Sequence, residues 1–242
     1  MNERKREVVL IAGALQGLGG EFARLAAHDG LGIVLVGESE DQLVQIRADI
    51  ESTYEVPVWT FHESLLSPGL GELVFEECLF YQLMHSRFAF PERIISVSSF
   101  DHCREAWDIP DEDYLLEPEM HAPAMIDLNR QFLQVLSRRG HGEILSVLAR
   151  PARLVEASRE MYEHTLELLL QVNHAFAQEA RAHNVRVHTL CYSGDSFLLQ
   201  TDTPPASLAH DMLPQTVSAR ELADFGYQML NDRQRLRPAA GS

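Results

Sequence analysis

Six short apolar runs alternate with helix-length amphipathic stretches along this chain, and that alternation restricts its fold more than any other feature. The runs are VVLIAG, LGIVLVG, VPVWTF, ERIISVSS, GEILSVLA and NVRVHTLC. Each is apolar almost throughout rather than at every second residue, as strands buried on both faces are. The first intervening stretch carries Phe22, Leu25 and Ala26 at helical spacing and closes on Gly30; the second carries Leu43, Ile46 and Ile50. AMIDLNRQFLQVLSRRG reads as a helix ending in arginines and Gly140, which suit the negative end of the helix dipole. Residues 156–183 read as one long helix. This order predicts an α/β fold: a doubly wound, Rossmann-like parallel sheet with helices on both faces, in one domain over residues 1–242. Residues 64–92 give no clear period, and residues 100–120, acidic and Pro-containing, predict a surface loop with short helical turns.

The net charge of −16 repels phosphate backbones and anionic lipid, so neither nucleic acid nor a membrane is an expected partner. No apolar run reaches the length of about 18 residues that a membrane span needs, and no secretory signal is visible. Cys78, Cys103 and Cys191 are widely spaced, without a C-x-x-C pair. That fits neither a disulfide framework nor a zinc site and points to the cytoplasm.

Between the first strand and the first helix stands AGALQGLGGEFA, where Gly13, Gly17 and Gly19 have the spacing G-x-x-x-G-x-G. Glycines in this context let the backbone approach a pyrophosphate at a helix N-terminus. The turn resembles that of the short-chain dehydrogenase/reductase family, with Ala12 where the family usually has threonine. GEILSV resembles the family's fifth strand and AHNVRVHTLCYSG its sixth, and the resemblance extends over nearly the whole chain.

The resemblance implies a hydride-transfer site with four catalytic positions, and this chain fills one of them. Tyr162 stands at the position of the family's catalytic tyrosine. The lysine position, four residues later, holds Leu166; the serine position, thirteen residues earlier, holds Ala149; the asparagine position on the preceding long helix holds His121. A phenol of pKa about 10 without a neighbouring cation costs roughly 4 kcal/mol to ionise at pH 7. Ala149 has no hydrogen bond to give a developing oxyanion, and loss of one such donor costs about 100- to 1000-fold in rate. His164, two residues from Tyr162, faces elsewhere on a helix. His121 is of a type that titrates near neutrality. With Tyr162 it forms the acid–base pair of a rival reading, a divergent NAD-dependent oxidoreductase or a non-redox enzyme of the same fold.

The family's nucleotide positions are altered too. Gly37 lacks the carboxylate that binds an adenosine ribose diol, and Glu38 repels a 2′-phosphate. Glu63 stands near the family's adenine-contacting acid. Val97, Ser98, Ser99 and Phe100 replace the small residues N-N-A-G, and Tyr192 and Ser193 replace P-G, with Gly194 one place later. The resemblance then implies vestigial cofactor positions at Gly13, Gly17, Gly19 and Glu38, no cofactor in ordinary use, NAD binding at most weak, and no metal.

In the family the two long helices, here near 121–139 and 156–183, pair with those of a neighbouring subunit. Leu166, Leu168, Leu169, Leu170 and Val172 cannot all face one sheet, so a second buried face made by a partner is expected. The pattern of loss is similar to that of inactive subunits in heteromeric members of the family, such as the dehydrogenase of hydroxyacyl-CoA intermediates in anaerobic toluene breakdown. The expectation is a non-catalytic subunit that stabilises an active relative. ARELADFGYQMLNDRQRLRPAAGS resembles the family's last helix, and the strand that normally follows it, the seventh, is expected to be missing.

Overall fold

Val8–Ala12 forms β1, buried along its whole length, and the sheet grows outward from it in both directions. The computed structural model describes residues 5–13, 17–65, 67–85, 87–98, 117–150, 156–193, 196–200 and 218–231. The side chains of 98, 117–121, 149–150, 156–163, 192–193 and 196–200 are not among the described parts. After β1 come α1 (Leu18–His28), β2 (Gly32–Gly37), α2 (Glu40–Tyr54), β3 (Val58–His62), α3 (Leu70–Met84) and β4 (Arg93–Ser98). Then follow α4 (Glu117–Arg139), β5 (Gly142–Arg150), α5 (Glu156–Arg181), β6 (Val185–Ser193), β7 (Ser196–Gln200) and α6 (Ala219–Asn231).

The strand order is β3-β2-β1-β4-β5-β6-β7, and the first six are parallel. Alternate residues of each strand enter opposite cores, which is why the strands are continuously apolar. Val9, Ile11, Ile33, Leu35 and Leu145 pack under α1, α2 and α6 through Phe22, Leu43, Ile50 and Leu222. Val8, Leu10, Val34, Ile94 and Ile144 pack under α3, α4 and α5 through Val74, Phe132, Leu136 and Ala180. Among the described residues no helix is long and apolar enough to cross a membrane.

Three differences from the sequence-based expectation have physical causes. Residues 64–92 contain α3, whose period is masked because it is apolar on two sides: Leu70, Val74 and Cys78 are buried, while Leu73, Phe80, Leu83 and Met84 are exposed. α4 starts at Glu117, before the expected boundary, and carries Pro123 on its exposed side. Of the expected loop at 100–120, residues 100–116 lie outside the described residues. Among the described residues the sheet has seven strands rather than six, because β6 runs on through Tyr192 and Ser193 and returns as antiparallel β7, with Tyr192 opposite Phe197. A proline at either place would lack the N–H that such a ladder uses. This strand precedes the last helix; the place after that helix, where a strand is expected to be missing, lies outside the described residues.

A buried polar chain pins the second layer to the sheet. Asn129 of α4 donates to Ser146 Oγ of β5 at 2.8 Å and to Asn173 Oδ1 of α5 at 3.4 Å, and Ser96 of β4 donates to Asn129 Oδ1 at 3.3 Å. The register of β4 and β5 places Ser96 opposite Ser146. Such a network fixes the setting of both long helices, since a slip of either leaves buried polar groups unpaired.

Gly71 sets the approach of α3 to α4. A Cβ there would lie 2.5 Å from the Asp127 carbonyl oxygen, and its N–H donates to Asp127 Oδ2 at 2.9 Å. Gly71→Ala is expected to destabilise the protein by about 1–3 kcal/mol in urea denaturation, because backbone has to move. His188 gives a pH signature. Its ring is buried, neither nitrogen has a hydrogen-bond partner among the described residues, and burial first, then the charge of Arg186, lowers its pKa to about 4. The unfolded chain takes up that proton near pH 6.5 and the folded chain only near 4, so stability falls on acidification through this window. Between pH 7.5 and 5.0 the His188 contribution is a loss of about 2 kcal/mol, absent in His188→Leu, measurable by urea denaturation at both pH values.

Candidate functional site

In an open parallel sheet the crevice lies outside the carboxyl ends of the strands where the order reverses, here between β1 and β4. β1 ends there in Gly13, whose φ is +92°. A Cβ at Gly13 would stand 2.1 Å from the Val97 carbonyl oxygen, so only glycine passes beneath the end of β4. Residues 14–16 lie outside the described residues. Gly17, with φ +95°, opens α1 and accepts from the Glu21 N–H at 3.0 Å; Gly19 is buried in the first turn. Gly13 and Gly17 thus hold positive φ on either side of residues 14–16.

Beside the crevice, the end of β2 is tied to the loop after β3. Glu38, just after β2, accepts from the Leu65 N–H at 2.8 Å and from Ser64 Oγ at 3.0 Å, both through Oε1. Its carbonyl bonds His62 Nε2 at 2.9 Å. Glu38 therefore fastens the loop after β3, a role that sequence spacing does not reveal. Glu63 acts within the same loop: it accepts from Ser67 Oγ and from the Ser64 N–H, and these bonds lower its pKa. The loop delivers the Leu65 side chain to the floor of the crevice, beside Gly13. Leu65, Ala12, Leu70, Val97, Met125 and Leu128 leave there a cavity of only about 10 Å³, room for about one water.

The residues that the family resemblance singles out lie on three elements of the second layer and the sheet. Ala149 lies in β5, His121 in α4 and Tyr162 in α5, and α4 packs on both α5 and β5. The side chains of these three residues lie outside the described ones, as do Ser99, Phe100 and Gly194. Leu166, one turn after Tyr162, is described. It packs against an apolar cluster of Ala122, Met125, Leu148, Leu169 and Cys191, together with Ile126 and Leu170. Among the described members of that cluster none carries a charge to meet an ammonium group. His164 is exposed. Cys191 is no nucleophile, because burial pushes its thiol up to about 12. Among the described residues no group of His, Cys, Asp and Glu side chains is arranged to hold a metal ion.

The buried asparagines were not foreseen. Asn129 and Asn173 occupy positions of apolar period on their helices, and that mismatch is the one signal the sequence offers for them.

No protein-family model matches the chain. Over 186 residues, 76% of the chain, it is 23% identical to an uncharacterized oxidoreductase of Bacillus subtilis, and it spans 66% of that protein's length. A crystal structure of a β-ketoacyl-[ACP] reductase from Bacteroides thetaiotaomicron superposes with a TM-score of 0.67 at 17% identity, covering 94% of this chain and 91% of that one. A short-chain dehydrogenase from Sphingobium yanoikuyae, in complex with NADPH, gives 0.58 at 17% identity, covering 92% and 85%. The chain thus has the fold of short-chain dehydrogenases and reductases.

Proposed function

We propose that this protein is a divergent member of the short-chain dehydrogenase/reductase family without hydride-transfer activity of its own, serving as a subunit that assembles with and stabilises an active relative. The observation that carries this reading is Leu166, packed in an apolar cluster where the family's lysine would need a ribose hydroxyl and a phenol. The fastening of Glu38 to the loop after β3 supports it, since the same carboxylate oxygen is not free for a ribose diol. The contact with the partner runs through α4 and α5. Leu168 is half-exposed on α5, and Leu166, Leu170, Val172 and Phe176 are each only partly covered by their own chain. A partner completes that burial.

A second reading, a divergent NAD-dependent oxidoreductase using Tyr162 and His121, is favoured by the positive φ of Gly13 and Gly17 and by the close pass of Gly13 beneath Val97. Those glycines suit a nucleotide and Glu38 does not, so the two readings part on affinity. Calorimetry with NADH and NADPH is expected to show no binding tighter than about millimolar. Micromolar NADH affinity sinks the non-catalytic reading. Co-expression with an intact Ser-Tyr-Lys relative from the same genome is expected to yield a stable complex; a relative equally stable and active alone removes the subunit role. Leu166→Lys is expected to destabilise the isolated protein by about 1–2 kcal/mol in urea, the cost of an unpaired ammonium at a half-buried site. A variant as stable as the parent shows that a counter-charge is in reach after all.

A further inference from the structure

A second cavity lies at the opposite end of the sheet from the crevice. It measures about 440 Å³ and opens between the amino ends of β1, β4, β5 and β6, a volume in the usual range for small-ligand sites, about 300–1,000 Å³. Its wall is a cross-strand row of charges: Arg93 of β4 stands opposite Glu143 of β5, which stands opposite Arg186 of β6. All three side chains are more than four-fifths buried. Glu7, Glu92 and His141 complete the charged lining.

Pairing these groups leaves a definite remainder. Arg186 contacts Glu143 Oε1 directly and donates to the Leu230 carbonyl at 3.0 Å. His141 Nε2 meets Glu92 at 3.0 Å, a bond that raises the imidazole pKa. Arg93 reaches Glu143 Oε2 only through Nε and only at 3.6 Å, outside hydrogen-bond distance, and that oxygen is buried without a hydrogen-bond partner among the described residues. One cation, Arg93, is thus incompletely satisfied. At the mouth one anion, Glu7, has no partner among the described residues. A plain anion would meet Arg93 and be repelled by Glu7; a plain cation would meet the reverse. A group with one charge of each sign satisfies both, and its N–H donors also satisfy Glu143 Oε2.

We propose that this cavity binds a small zwitterion of the α-amino acid class, its carboxylate on Arg93 and its ammonium toward Glu143 Oε2 and Glu7. The site is remote from the crevice, so it stands or falls independently of the function proposed above. The test uses the full chain with glycine, L-alanine and L-leucine as probes at on the order of 10 mM, with acetate and ethylamine as single-charge controls, by calorimetry and Tm shift. At least one amino acid is expected to bind and raise Tm while neither control does. Arg93→Met and Glu7→Gln are each expected to weaken binding about tenfold or more. Glu7 is exposed, so its variant keeps the test decisive if Arg93→Met fails to fold. Absence of binding by all three amino acids, binding of acetate equal to theirs, or affinity unchanged in Glu7→Gln overturns the proposal.

Discussion

The passage of Gly13 beneath the end of β4 is the constraint on which the rest of the structure depends. At 2.1 Å from a would-be Cβ, the Val97 carbonyl admits hydrogen and nothing larger. The close pairing of β1 with β4 is what lets the strand order reverse there, so that α1 and α2 cover one face of the sheet and α3, α4 and α5 the other. The positive φ at Gly13 then turns the chain out of β1. None of this requires a nucleotide. The turn is a condition of the fold as much as of binding, and a chain that gave up the cofactor would still have to keep Gly13.

The layer formed by α4 and α5 has two kinds of cement. Deep in it, Ser96, Ser146, Asn129 and Asn173 form a polar chain whose geometry has to be kept, since each member depends on the next. Toward the carboxyl end of the sheet the contacts among Met125, Leu148, Leu166 and Cys191 are apolar and non-directional. The first kind holds α4 and α5 in register; the second fills space beside the crevice. Leu166 belongs to the second kind, held by packing against neighbouring apolar side chains.

The sheet was legible because strands buried on both faces have no polar alternation to obscure them, and all six parallel strands lie where their apolar runs stand. α3 was not legible, because Phe80, Leu83 and Met84 add apolar residues on its outer side and blur the period. β7 escaped notice because SFLLQ is short, and its strand character rests on pairing with Tyr192 and Ser193, a tertiary event. At the site, Ala149 lies on β5 and Tyr162 and Leu166 on α5, and the side chains of Ala149 and Tyr162 lie outside the described residues. The use of Glu38 as a fastener for Leu65 was not readable, because it depends on a loop 26 residues away meeting the end of β2.

The two ends of the sheet answer to different physics, and that separates their histories. Strands and helices run antiparallel in this fold, so helix C-termini, with their unpaired carbonyls, gather at the amino ends of the strands. Arg186 serves such a carbonyl at Leu230 and at the same time a buried carboxylate at Glu143. Removing one member of that row strands its partners in low dielectric, so the row is held in place by the cost of breaking it. At the carboxyl ends the amide dipoles point outward to a crevice, and nothing in the fold compels a particular side chain to meet them. The charges at the far end, by contrast, are free to change only as a set.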